Sequence, residues 1–148
     1  MNKALFLDRD GVVNVDHGYL IKSSDVEFVN GIFELCKQAK ELGYLIVIVT
    51  NQSGIARGLY TEQQFQQLMQ WMKSQFAEKG ITLDGVYFCP HHPTKGQGKY
   101  LTQCSCRKPK PGMLLDAAQH LSIDLSASIM IGDKESDIEA AIAAGIEK

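Results

Sequence analysis

Apolar residues gather into three short unbroken runs, Ala4–Leu7, Leu45–Val49 and Ile129–Ile131, with a weaker fourth at Val86–Phe88. None alternates with polar positions. A strand with one wet face alternates, so these runs predict parallel strands covered on both faces. Between them the spacing becomes helical. Ile32, Leu35, Cys36, Ala39 and Leu42 share one helix face, with Asn30 as candidate N-cap and Gly43 as stop. Phe65, Leu68, Met69, Met72 and Phe76 share another, between Thr61 as N-cap and Gly80 as stop. Met113–Leu121 and Glu135–Ala144 predict two more helices, with Pro111 in the first turn of the former and Gly145 ending the latter. Alternating strands and helices predict a three-layer α/β/α, Rossmann-like fold around a parallel sheet, one domain over residues 1–148.

Open parallel sheets bind ligands beyond the carboxyl ends of their strands. Here those ends carry chemistry. The first run ends in Asp8-Arg9-Asp10-Gly11, the second in Thr50-Asn51-Gln52-Ser53-Gly54, and the last in Gly132-Asp133-Lys134. All three should meet on one rim. Two carboxylates beside a buried strand are costly to desolvate unless a cation offsets them. A hard divalent ion would do so, and Asp133 would add a further oxygen ligand. Each segment also has a plain reading: a solvated turn at Asp8–Gly11, local turn hydrogen bonds at Thr50 and Ser53, an N-cap at Asp133. In Arg107-Lys108-Pro109-Lys110-Pro111, Lys110 reads as part of a solvated basic loop.

A second metal candidate lies in Cys89-Pro90-His91-His92 and Cys104-Ser105-Cys106. Cys89, one histidine, Cys104 and Cys106 offer four soft or borderline ligands, the number that fills a structural tetrahedral Zn²⁺ site. The residues between, Thr94–Lys99, carry little apolar bulk. Zinc would order this loop and place Arg107 and Lys108, which follow it. The spacing leaves His91 and His92 both open. Cys36, on an apolar helix face, reads as core.

The joint order Asp8-Arg9-Asp10-Gly11, Thr50-Asn51, Lys108, Gly132-Asp133 resembles the four motifs of the haloacid dehalogenase-like (HAD) phosphohydrolase superfamily, over nearly the whole chain. The resemblance implies that Asp8 is the nucleophile, forming an aspartyl-phosphate, and that Asp10 is acid and then base. It implies that Thr50 and Lys108 steady the phosphoryl group. Mg²⁺ would sit on Asp8, Asp133 and the Asp10 backbone carbonyl.

The inserted Cys/His loop narrows the resemblance to the branch holding histidinol-phosphate and heptose bisphosphate phosphatases. The residues that carry it are Asn14–Tyr19, Thr50–Gly58, Cys89–Pro93 and Cys106–Pro109. It implies His91 as the zinc ligand, and substrate contacts from Asp16, His17, Gly18, Tyr19, Asn51, Gln52 and Ser53. It further implies that Arg107 recognises a second phosphate and that Lys134 touches the scissile one. A forked guanidinium suits a bisphosphate. The expected activity is a Mg²⁺-dependent sugar bisphosphate phosphatase serving nucleotide-activated heptose and lipopolysaccharide assembly. Histidinol-phosphate phosphatase is the near alternative, and a zinc-stabilised binding module without catalysis the distant one. Members of the superfamily continue past the last helix into another strand and helix, so a truncated C-terminal end is expected.

Charge and composition exclude other classes. The 148 residues carry a formal charge of −2 and no basic block, so no nucleic-acid partner is expected. No apolar run approaches the ~20 residues of a membrane span. A strand starting beside Met1 leaves no room for a secretory leader, and free thiols fit the cytoplasm. A monomer acting on a small sugar phosphate is expected.

Overall fold

The computed structural model describes residues 1–147. Four parallel strands, β1 (Lys3–Leu7), β2 (Tyr44–Asn51), β3 (Gly85–Cys89) and β4 (Ile129–Ile131), form one sheet in the order β3-β2-β1-β4. β1 pairs with β2 from Lys3↔Tyr44 to Leu7↔Ile48, and with β4 from Leu5↔Ile129 to Leu7↔Ile131. β2 pairs with β3 from Val47↔Gly85 to Asn51↔Cys89. The two central strands are apolar on both faces because both faces are covered. Leu5, Leu7, Ile46 and Ile48 pack under α1 (Ile32–Glu41) and α3 (Glu62–Glu78). Ala4, Phe6, Val47 and Val49 pack under α4 (Gly112–Leu121) and α5 (Glu135–Ala144). A short helix, α2 (Ser53–Ala56), follows β2 directly.

The helix ends show which local signals prevailed. Thr61 caps α3 in a reciprocal box with Gln64, each side chain meeting the other residue's backbone N–H. Gly43, Gly80 and Gly145 take positive φ just past their helices, as a C-terminal stop requires. Two expectations shift. Gly31, not Asn30, is the N-cap of α1, with φ 88°. A left-handed turn there leaves the Asn30 side chain no capping position. Pro111 is the N-cap residue of α4, one place before the first turn expected for it.

Residues 89–106 also depart from expectation by having protein anchors of their own. Tyr100 packs against the apolar layer beneath α3. The Gln97 backbone N–H donates to Ala56 O at 2.7 Å, and His92 and Leu101 form an isolated bridge. Among the described residues, no helix is long and apolar enough to cross a membrane.

β4 begins one residue too late to pair with Ala4. Buried Ser128 fills the gap: its hydroxyl accepts the Ala4 N–H at 3.0 Å and donates to Asp124 O at 2.8 Å. Ser128→Ala strands a buried strand amide. It is expected to lower the unfolding free energy by about 1–3 kcal/mol, read from urea denaturation midpoints at unchanged slope.

Candidate active site

The strand ends do meet on one rim. Asp8 follows β1, Thr50 and Asn51 close β2, and Gly132-Asp133 follow β4. Above them opens a cleft of about 620 Å³ lined by Arg9, Asp10, Asp16, Gly18, Tyr19, Asn51, Gln52, Ser53, Arg107, Lys108, Pro109, Lys134 and Ser136. That is the size of an ordinary small-molecule site.

Lys108 organises its floor. The side chain is 4% exposed, and its ammonium donates to Asp8 Oδ1 at 3.0 Å, Asp137 Oδ1 at 2.5 Å and Val49 O at 3.1 Å. Its backbone is fixed as tightly. Asn51 Oδ1 accepts the Lys108 N–H at 3.0 Å, and Asn51 Nδ2 donates to Lys108 O at 3.3 Å. Asn51 therefore acts through Lys108. Asp8 also accepts the Arg9 N–H on Oδ1 at 2.9 Å, so both donors crowd one oxygen and Oδ2 is left for another partner. Burial pushes the Asp8 carboxyl up to about 6; Lys108 opposes this, while Asp137 and Asp10 add to it.

Asp8, Asp133 and Asp137 place carboxylate oxygens within 4.8 Å of one another. This set suits a hard cation. Asp137 is engaged elsewhere, by Lys108 and by the Lys134 N–H at 3.1 Å, which leaves Asp8 and Asp133 as the carboxylates free to ligate. Asp133 is not needed as a cap, because Lys134 is the N-cap residue of α5. Gly11, with φ 96°, makes room for it; a Cβ there would collide with the Asp133 carboxylate. The Asp10 carboxylate is not in the acidic set. It turns instead into Arg9, which grips both of its oxygens at 2.9–3.1 Å.

Gln52 joins Asp10 to Thr50: its Nε2 donates to Thr50 Oγ1 at 2.8 Å and to Asp10 Oδ2 at 3.3 Å, while Tyr60 donates to its Oε1. Thr50 is buried under the cleft floor. His17 falls outside the lining; its Nε2 lies 3.4 Å from Glu27 Oε1. Asp16, Gly18 and Tyr19 do line the cleft, and Asp16 Oδ1 accepts the Gly18 N–H at 3.0 Å. Sequence reasoning passed over two buried residues. Asp137 could have been read from its place three residues after an N-cap. Arg9 could have been suspected only from lying between two aspartates.

Beside the cleft, Cys89, His91, Cys104 and Cys106 converge. Cys106 Sγ is 2.6 Å from Cys89 Sγ and 3.3 Å from Cys104 Sγ, and His91 Nδ1 is 3.5 Å from Cys106 Sγ. All four cysteines are free thiols. The hydrogen bond with Cys89, then burial, pushes the Cys106 thiol well above its ordinary range. Crowding three sulfurs with an imidazole is favourable once a soft cation replaces their protons. His92 turns away, its Nδ1 accepting the Thr94 and Lys95 N–H groups at 3.1 and 3.0 Å. Arg107 follows the cluster directly and donates to His91 O at 3.5 Å.

A profile of the HAD-hydrolase-like family matches residues 105–148. A D-glycero-beta-D-manno-heptose-1,7-bisphosphate 7-phosphatase of Yersinia pestis is 53% identical over 143 residues, 97% of this chain and 76% of that one. Its Escherichia coli K12 counterpart is 50% identical over 97% of this chain and 75% of its own length. Among solved structures, the D,D-heptose 1,7-bisphosphate phosphatase of B. bronchiseptica, complexed with magnesium and phosphate, superposes with a TM-score of 0.84 at 34% identity. The overlap covers 97% of this chain and 77% of that one. A HAD-like phosphatase of Mesorhizobium loti reaches a TM-score of 0.92 at 36% identity, covering 98% and 69% of the two chains.

The raised Asp8 carboxyl gives stability a pH signature in metal-free protein. Its folded pKa lies above the unfolded value, so the folded state binds the proton more tightly. The stability this supplies is present below about pH 4 and lost as pH rises through about 6. In chelator, Asp8→Asn is expected to be more stable than the parent at pH 7–8, by on the order of 1–3 kcal/mol. The gap should close near pH 4. Denaturation curves at both pH values check this; a gap that does not change with pH would refute the assignment.

Proposed function

We propose, on the premise that this chain belongs to the D-glycero-β-D-manno-heptose-1,7-bisphosphate 7-phosphatase family of HAD-like hydrolases, that it removes the 7-phosphate of that β-configured sugar bisphosphate. The observation that carries the reading is the arrangement of charge: Lys108, which lines the cleft and donates to the buried Asp8 beneath it, and Arg107 and Lys134 elsewhere on the lining. A bisphosphate needs cationic groups at both places.

Asp8 Oδ2, free of the donors that hold Oδ1, attacks phosphorus. The bond from phosphorus to the sugar oxygen breaks, its electron pair stays on that oxygen, and Asp10 gives the oxygen its proton. Water then attacks the aspartyl-phosphate and yields its proton to Asp10. The bond between Asp8 and phosphorus breaks, releasing inorganic phosphate and restoring the carboxylate. Lys108, Thr50 and Lys134 neutralise and orient the transferring group, while Arg107 holds the phosphate that stays. Asp16, Gly18, Tyr19, Gln52 and Ser53 shape the sugar site. Asn51 contributes by fixing Lys108. His17 has a place in this scheme only if its loop turns toward the cleft.

Asp8, Asp133 and the Asp10 carbonyl would hold Mg²⁺, which would supply positive charge to offset that of the carboxylate and the phosphoryl oxygens. Cys89, His91, Cys104 and Cys106 would hold a structural Zn²⁺. The product, a sugar 1-phosphate, is the form a nucleotidyl transferase activates, which agrees with a role in lipopolysaccharide precursor synthesis. We further propose that the chain is one domain and works as a cytoplasmic monomer.

Turnover is expected with Mg²⁺ and not with EDTA, and kcat/KM for heptose 1,7-bisphosphate should exceed that for histidinol phosphate by on the order of a hundredfold or more. The reverse preference would sink the substrate assignment. Asp8→Asn is expected to abolish Mg²⁺-dependent release of phosphate. Metal analysis of purified protein should find zinc near one per chain. Cys104→Ser should lower both zinc content and thermal stability, and an unchanged zinc content would rule out that ligand set.

A further inference from the structure

Arg9 heads the fully buried large side chains, with no measurable exposure. Its guanidinium lies 5.7 Å from the Phe65 ring centroid, and Nη1 sits 3.8 Å from Met69 Sδ. A charge carried into such surroundings costs several kcal/mol, and an apolar side chain of similar volume would fill the space at less cost. Filling the core is therefore a poor account of an arginine here.

What Arg9 does is join the two rim carboxylates. Its backbone N–H is held by Asp8 Oδ1 at 2.9 Å, and its side chain forks onto Asp10. Nε donates to Asp10 Oδ1 at 3.1 Å, and Nη2 donates to Oδ1 at 2.9 Å and Oδ2 at 3.1 Å. A fork on both oxygens fixes the plane of the carboxylate as well as its place. Asn14 Nδ2 adds a contact to Oδ1 at 3.1 Å, and Gln52 Nε2 one to Oδ2 at 3.3 Å. Asp10 lies beyond the end of β1, where an isolated bridge to Asn14 fixes its backbone but not the plane of its carboxylate. The carboxylate's aim depends on these five contacts, and Arg9 makes three of them.

We propose that Arg9 is a positioning residue for Asp10: it keeps the carboxyl group aimed at the oxygen that leaves phosphorus. This rests on the reading of Asp10 as the acid, so the test must separate the two ideas. Leaving-group chemistry does so. A sugar alkoxide needs the Asp10 proton as its bond to phosphorus breaks, whereas 4-nitrophenolate departs stably without one. Since kcat/KM reports the steps through that first bond cleavage, loss of aim should harm only the sugar substrate.

Arg9→Gln is expected to lower kcat/KM on heptose 1,7-bisphosphate by about a hundredfold and on 4-nitrophenyl phosphate by less than about threefold. Arg9→Lys keeps the cation and loses the fork. It should fall between the parent and Arg9→Gln on the sugar substrate, and lose less on the aryl substrate than on the sugar. Should Arg9→Gln fail to melt cooperatively, the ratio for Arg9→Lys decides. Equal losses on both substrates, the mark of a merely structural arginine, overturn the proposal, as do unchanged rates on both. Asp10→Asn is the control and should show the same selective loss. If it leaves the sugar substrate untouched, the acid reading itself falls, whatever the Arg9 variants do.

Discussion

The Lys108 side chain is all but buried at the floor of the cleft, and a bare cation there would be untenable. It is tolerable because Asp8, Asp137 and the Val49 carbonyl surround it with oxygen. Each of those oxygens comes from a different part of the chain: the end of β1, the first turn of α5 and the end of β2. One buried charge thus requires three elements to stay in register. The same requirement places the proposed nucleophile on the cleft floor. Stability and chemistry draw on one cluster: losing Lys108 leaves Asp8 and Asp137 as facing buried carboxylates, whereas losing Asp8 still leaves Lys108 paired with Asp137.

Lys108 also ties the Cys/His cluster to the cleft. Cys106 is two residues before it, and Arg107, between them, lines the cleft while reaching the His91 carbonyl. Asn51 then clamps the Lys108 backbone on both sides of its peptide unit. The cluster reads as the fixed end of a short lever whose other end carries two cations of the cleft, Arg107 and Lys108. Tyr100 and Gln97 hold the far side of the same loop against α3 and α2.

Unbroken apolar runs revealed the strands because burial on both faces suppresses alternation, and the rim followed from where those runs ended. The Cys/His set was visible because soft ligands in that number have few other uses. Spacing alone left His91 and His92 both open; the resemblance favoured His91, and the backbone N–H groups that occupy His92 Nδ1 agree with it. Arg9 was hidden for a physical reason. Arginine belongs at surfaces by type, and only the tertiary pocket of Phe65 and Met69 shows it inside. His17 stands beside Glu27 rather than on the cleft lining, a placement that no local pattern encodes.

The charges of the site explain why its two rim aspartates differ. Four carboxylates, Asp8, Asp10, Asp133 and Asp137, face two buried cations, Arg9 and Lys108. That leaves an excess of two negative charges, the amount one divalent ion cancels. The excess does not fall evenly. Asp10 has a guanidinium to itself. Asp8 shares a single ammonium with Asp137, and burial, with Asp137 adding to it, drives its carboxyl up to about 6. Of the two, Asp8 therefore gains most from a metal beside it. A divalent ion held there would offset the charge that the shared ammonium leaves uncompensated, and Asp8 Oδ2, which carries neither of the donors on Oδ1, is the oxygen with room to react.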